Sequence, residues 1–188
     1  MANDLQIYIE PTPNPNARKF IMNKTVKTAG KSTYHSCVEC AHNPMAYNLF
    51  TIQGVEQVYF FKNVITISKD WEIDWDEIEK NVFNCLNDQI GNHNPDYLDP
   101  DPEKERREQL PPEVLEIELI LDRTVRENLQ ADGGDVHCVS YKNNILIIRY
   151  QGACGTCPSS TTGTLRALKA ILRQEFNPEI DIYIAPEF

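Results

Sequence analysis

A chain of 188 residues with 41% hydrophobic side chains can form one large domain or two small ones with ordinary cores. Eighteen Lys and Arg against 28 Asp and Glu leave a net charge of −10. That balance argues against a nucleic-acid partner, because a protein that tracks phosphates draws its affinity from a basic face. No apolar run approaches the roughly 18 residues that cross a bilayer, so no membrane partner is expected. The opening Met-Ala-Asn-Asp-Leu lacks the basic and apolar regions of a signal peptide and the Arg-rich character of a transit peptide, which places the chain in the cytoplasm.

In chain order, the first elements are strands at Leu5–Ile9 and around Lys19–Met22, then a helix near Pro44–Ile52. Strands at Gln57–Phe61 and Val64–Ser68 follow, with Lys62-Asn63 as their hairpin turn, and a helix covers Trp75–Ile90. The acidic run Trp71–Glu77 reads as the approach to that helix and its first turn, where carboxylates favour the dipole; a docking surface for a client protein is the sharper alternative. From Gly91 to Pro111 the chain is rich in Asn, Asp and Pro and then in mixed charge, with little to bury, and reads as a linker.

Beyond it, Val114, Ile117, Leu121, Val125 and Leu129 recur at helical spacing up to Asp132-Gly133-Gly134-Asp135, a helix stop and tight turn in which the two aspartates read as turn formers. Strands Val136–Tyr141 and Ile145–Tyr150 are joined by Lys142-Asn143-Asn144. A helix from about Pro158 to Phe176 carries Leu165, Leu168, Leu172 and Phe176 on one face, and Ile180, Ile182 and Ile184 alternate as a last strand. The fold class is therefore α+β: two small α/β domains, residues 1–90 and 112–188, separated by a linker at 91–111. The second domain runs helix, strand, strand, helix, strand.

The six cysteines are few for a secreted disulfide scaffold, and four of them form two Cys-x-x-Cys units. In a reducing compartment such pairs more often bind metal or do redox work. Cys154 and Cys157 lie in Gly152-Ala153-Cys154-Gly155-Thr156-Cys157-Pro158-Ser159-Ser160, at the join between a strand and a helix. Glycines there let the backbone turn and approach a bulky group, and Pro158 suits the first helical position. Thiols at a helix start meet unsatisfied N–H groups and the positive end of the dipole, so both should be unusually acidic and ready to bind metal. The spacing alone is shared by disulfide oxidoreductases, zinc sites and cluster sites. A thioredoxin-type reading wants a βαβ order that this hairpin does not supply.

Other candidates are weaker. His35, Cys37, Cys40 and His42 have the donor types of a second metal site, with Cys37 and Cys40 at its centre, but four ligands within eight residues would be cramped and a solvent-facing loop is the plain alternative. Cys85 and Cys138 fall in apolar patterns and read as packing residues. His93 and His137 gain no role, and no nucleophile or base accompanies Asp132 and Asp135, so nothing points to an enzyme.

The segments Asp132-Gly133-Gly134-Asp135-Val136 and Gly152–Ser160 resemble the NifU-like C-terminal domain of the Nfu iron–sulfur carriers, over about residues 112 to 185. Thr12-Pro13-Asn14-Pro15-Asn16 with Lys19-Phe20, and Gly54-Val55 before a strand, resemble the amino-terminal domain of many Nfu proteins. The resemblance implies a 4Fe–4S cluster held by Cys154 and Cys157 of two subunits, a homodimer when loaded, and transfer to apo iron–sulfur client proteins. Upstream cluster-assembly proteins would be the other partners. The Cys37/Cys40 pair departs from that N-terminal pattern.

Overall fold

A computed structural model describes residues 5–98, 110–155 and 160–185. The chain divides into two compact units, Met1–Asp99 and Pro100–Phe188. Among the described residues no helix is long and apolar enough to cross a membrane.

The first unit is built on a five-stranded antiparallel sheet formed by β1 (Ile7–Pro11), β2 (Ala17–Met22), β3 (Lys27–Tyr34), β4 (Val55–Lys62) and β5 (Val64–Lys69), in the order β1-β2-β5-β4-β3. Phe20, Val58, Phe60, Ile65 and Ile67 alternate onto one face and meet Met45, Ala46 and Leu49 of α1 (Pro44–Phe50) and Ile78, Val82 and Leu86 of α2 (Trp75–Gln89). Alternation in the strands and helical spacing in α1 and α2 thus build one core, and the expected hairpin turn is present, with Lys62 at φ 53°. Asp76 and Glu77 occupy the first turn of α2, as the acidic run predicts. The Thr12–Asn16 segment is a hydrogen-bonded turn in which the Asn16 N–H donates to Asn14 Oδ1 at 2.9 Å. The Trp75 indole donates to Pro15 O at 2.9 Å and ties that turn to α2.

Two features of this unit differ from the sequence reading. Strand β3 is an addition, and its Lys-Thr-Ala-Gly-Lys-Ser-Thr-Tyr run hides it: a register shift between Lys27 and Lys31, with Gly30 at φ 69°, breaks the period of two. The expected linker also begins too early, because residues 91–97 lie against the first unit. Thr28 N–H donates to Pro95 O at 3.0 Å, the Tyr97 hydroxyl donates to Ser32 Oγ at 3.0 Å, and His93 Nε2 donates to Val26 O at 2.7 Å. His93 also stacks on Phe60, so it has a packing role that its polar neighbours concealed. The remainder of the expected linker lies mostly outside the described residues.

The second unit comprises α3 (Pro112–Thr124), α4 (Arg126–Ala131), β6 (Gly134–Lys142), β7 (Ile145–Gly152), α5 (Leu165–Glu175) and β8 (Asp181–Ile184). Its sheet runs β6-β7-β8, with β6 and β7 antiparallel and β7 and β8 parallel. Asn143 and Asn144, both at positive φ, make the tight β6–β7 turn. A parallel pair needs a crossover, and α5 is that crossover. Its Leu168 and Leu172 pack with Ile117, Leu121, Val136, Leu146, Ile148 and Ile182 in the second core.

The single helix expected over Val114–Leu129 is two. It breaks at Val125, whose φ is −120°, where the Thr124 hydroxyl has bonded back to Ile120 O at 2.6 Å. The α-helical part of the last helix starts at Leu165, after a π-helical turn over Ser160–Thr164, rather than near Pro158. Cys85 and Cys138 pack against the first and second cores respectively.

Candidate iron–sulfur site at a strand-to-helix corner

The corner between β7 and the crossover is held against the turn that opens β6. Gly134 pairs with Gly152 across the sheet, and Ala153 N–H donates to Gly133 O at 3.0 Å. Gly155 N–H donates to Gly152 O at 3.0 Å, closing a tight turn around Cys154. Gly133, at φ 81°, and Gly152, at φ 59°, adopt backbone conformations that L side chains avoid. Gly134 is required for a different reason. A Cβ at that position would lie 2.8 Å from Cys154 N, 2.9 Å from Cys154 Cβ and still closer to Cys154 Sγ. The paired glycines of Asp132-Gly133-Gly134-Asp135 therefore make the turn and clear the space that Cys154 fills.

A buried ion network fixes the β6 side of this arrangement. Arg126 donates through Nε to Asp135 Oδ1 at 2.9 Å, and through one terminal nitrogen to Glu118 Oε2 at 2.6 Å and Val136 O at 2.7 Å; the other terminal nitrogen pairs with Asp122. Glu118 Oε1 accepts from Cys138 N–H at 2.7 Å, and Gln130 donates to Asp135 Oδ2 at 2.9 Å. Burial works against the Arg126 charge, but the Asp135 and Glu118 carboxylates outweigh it and push the guanidinium pKa above its ordinary value. Asp135 is fully buried here and is not the simple turn former that the sequence suggests. Glu118, Asp122 and Arg126 at four-residue intervals, set among inward-facing Ile117 and Leu121, are the sequence signal that points to this network.

Cys154 is only 8% exposed and belongs to the second core. It lies close enough to Tyr150 that burial first, and then the negative charge of the Cys154 thiolate, hold the phenol pKa well above its usual value. Cys157 and Pro158 lie outside the described residues, so the expected pairing of the two sulfurs belongs to the proposal below. As a setting for an iron–sulfur cargo the corner supplies a cysteine sulfur, the soft donor such a cargo takes, although that sulfur is covered in the single chain.

The first Cys-x-x-Cys is seated otherwise. Cys37 is exposed while Cys40 is fully buried, its Sγ directed at Ser36 O (3.4 Å) and Cys37 O (3.6 Å). Burial is the largest cause that pushes the Cys40 thiol up to about 11. The flanking imidazoles have other neighbours: His42 Nε2 is 3.3 Å from the Tyr34 hydroxyl and His35 Nδ1 is 3.5 Å from Gln57 Nε2. Among the described residues no group of three or more His, Cys, Asp or Glu side chains is placed to hold a metal ion.

Fold and site together define a class: a two-unit α/β protein whose second unit seats a cysteine at the corner between a sheet strand and its crossover helix. Residues 7–93 match the family described as "Scaffold protein Nfu/NifU N terminal", and residues 117–183 match the "NifU-like domain". The chain is 30% identical over 177 residues to the human "NFU1 iron-sulfur cluster scaffold homolog, mitochondrial", which covers 93% of this chain and 69% of that protein. The Drosophila persimilis protein of the same name is 32% identical over 178 residues, covering 93% of this chain and 63% of its own length. A NifU-like protein from Saccharomyces cerevisiae, solved by NMR, superimposes with a TM-score of 0.44 at 24% identity, over 48% of this chain and 85% of that one. The chain thus spans about two thirds of the length of these curated relatives. It belongs to the Nfu family of scaffold proteins, a non-catalytic family.

Proposed function

We propose that this protein is an iron–sulfur cluster scaffold and carrier. It holds a 4Fe–4S cluster on Cys154 and Cys157, shares it with the same pair of a second copy, and passes it to apo-proteins. The observation that supports this most directly is the close approach of Gly134 to Cys154, which ties the Gly-Gly turn to the cysteine corner and leaves no other side chain between them. Two thiolates per chain are half of what a 4Fe–4S cluster takes, so a second chain completes the set, and parting the chains breaks half of the iron–sulfur bonds at once.

Loading begins with Cys154 leaving its seat against Gly134, since at 8% exposure its sulfur is covered in the single chain. A client whose own cysteines then compete for iron draws the cluster away by ligand exchange. The first unit selects clients or upstream assembly proteins.

Anaerobic reconstitution of the full chain with iron and sulfide tests the reading. The expected product is a brown dimer with about four irons per two chains, lost in a Cys154→Ser, Cys157→Ser double variant. A species that survives the double variant, or no species at all, overturns the proposal. Retention of zinc in place of iron would make the corner a structural metal site, and reduction of insulin disulfides would make it a dithiol oxidoreductase.

A further inference from the structure

The first Cys-x-x-Cys has no part in holding the cluster, yet its two thiols are set in a defined way. Cys40 Sγ lies 3.4 Å from Ser36 O and 3.6 Å from Cys37 O, the carbonyls four and three residues before it. That back-bonding pattern is the one a side chain makes within a helical turn. In such a turn, residues three apart lie on the same side with their Cα atoms roughly 5 Å apart, inside the range that a disulfide spans. Cys85 and Cys138 have no cysteine at that spacing.

The turn is fixed at both ends. His35 N–H donates to Glu39 Oε2 at 2.8 Å, and Asn43 N–H donates to Cys40 O at 2.8 Å where α1 begins. Access differs between the thiols. Cys37 is exposed and stands next to Val38, which is 82% exposed, whereas Cys40 is buried in the first core. A reagent from solvent therefore meets Cys37, and Cys40 is the next to react. An exposed attacking thiol with a buried second thiol beside it is an arrangement suited to thiol–disulfide exchange. Burial, aided by the charges of Cys37 and Glu39, keeps the Cys40 thiol protonated, pushed up to about 11, which supports that order.

We propose that Cys37 and Cys40 are a redox-active dithiol that exchanges with the disulfide of a small thiol such as glutathione. Cys37 gives up its proton and attacks one sulfur of that disulfide. The S–S bond breaks, one small thiolate leaves and takes up a proton, and a mixed disulfide remains on Cys37. Cys40 then loses its proton to solvent and attacks the Cys37 sulfur, and the second small thiolate leaves and is protonated. Two cysteine thiols are oxidised to one disulfide, and one small disulfide is reduced to two thiols. The site is independent of Cys154 and Cys157 and does not rest on the cluster reading.

The test uses the full chain carrying Cys154→Ser and Cys157→Ser, reduced, freed of reductant and incubated with glutathione disulfide at neutral pH. Samples are quenched in acid, the remaining thiols are alkylated, and peptide masses report the state of each cysteine. One glutathione is expected on Cys37 first, followed by its loss as the Cys37–Cys40 disulfide forms, with Cys85 and Cys138 still reduced. Cys40→Ala in that background should hold the glutathione on Cys37. Cys37→Ala should slow modification of Cys40 by at least about tenfold. A glutathione still on Cys37 after about a day in the chain that keeps both cysteines, a Cys40 that reacts as fast without Cys37, or no reaction at either would overturn the proposal. The first of these needs no change in the turn, so it decides the matter even if Cys40→Ala fails to fold. None of them bears on whether the corner binds iron.

Discussion

The two Cys-x-x-Cys units share a spacing and little else. Cys37 and Cys40 sit in turns ahead of α1, one thiol in solvent and the other sealed in the core with its sulfur against two backbone carbonyls. Cys154 sits at the end of a sheet strand, where a second chain segment has been stripped to glycine to admit it and a buried ion network holds that segment in place. The comparison teaches that the spacing of two thiols identifies a donor pair only together with what stands opposite each sulfur. Acceptor carbonyls at a buried thiol favour the protonated form, whereas a site for a cargo needs space and donors.

The largest effect that tests this contrast is on iron content. Removing Cys154 and Cys157 should abolish reconstituted iron, while a Cys37→Ser, Cys40→Ser variant should keep the wild-type amount; equal losses in elemental analysis would make the first pair a metal site as well. Next comes the network behind the corner. Arg126→Leu strands the buried Glu118 and Asp135 carboxylates, and thermal or denaturant unfolding should show the second unit destabilised by about 3–5 kcal/mol, with the first unit unchanged.

A smaller effect is expected at the glycine seat. Gly134→Ala forces Cys154 to shift and should destabilise the second unit by about 1–3 kcal/mol as well as lower the reconstituted iron, whereas Gly163→Ala, with nothing within 4 Å of an added Cβ, should stay within about 0.5 kcal/mol of wild type. The smallest is a pH dependence at Cys40. An unfolded thiol ionises near 9.0 and the folded one near about 11, so the folded chain binds more protons between those values. Stability from this group is complete below pH 9.0 and falls as pH rises through about 11. Melting curves across that window should fall less steeply in Cys40→Ala, and alkylation at neutral pH should modify Cys37 while sparing Cys40.

Much of the fold was legible in advance where one face of an element is buried and the pattern is regular. The hairpin around Lys62-Asn63, α1, α2, β6, β7 and β8 all follow from alternation or helical spacing between turn residues. What escaped detection has a common cause. Strand β3 owes its place to backbone pairing with β4 and carries a bulge, so it has no period to read. His93 and Tyr97 are partly covered by aromatic neighbours distant in sequence, and their Asn- and Pro-rich surroundings give the opposite impression. Glu118, Arg126 and Asp135 look like surface charges until a third element brings them together.

By itself the sequence determined the two-domain α+β plan, the turn chemistry of Asp132-Gly133-Gly134-Asp135 and the position of a thiol pair between a strand and a helix, because these are local properties of backbone conformation and hydrophobic period. Only the tertiary structure decided that Gly134 is small for the sake of Cys154, that Asp135 is an ion-pair partner, and that Cys40 is sealed while Cys37 is not. Those are contacts between residues that no periodicity relates, and their energies depend on burial, which exists only once the chain has folded.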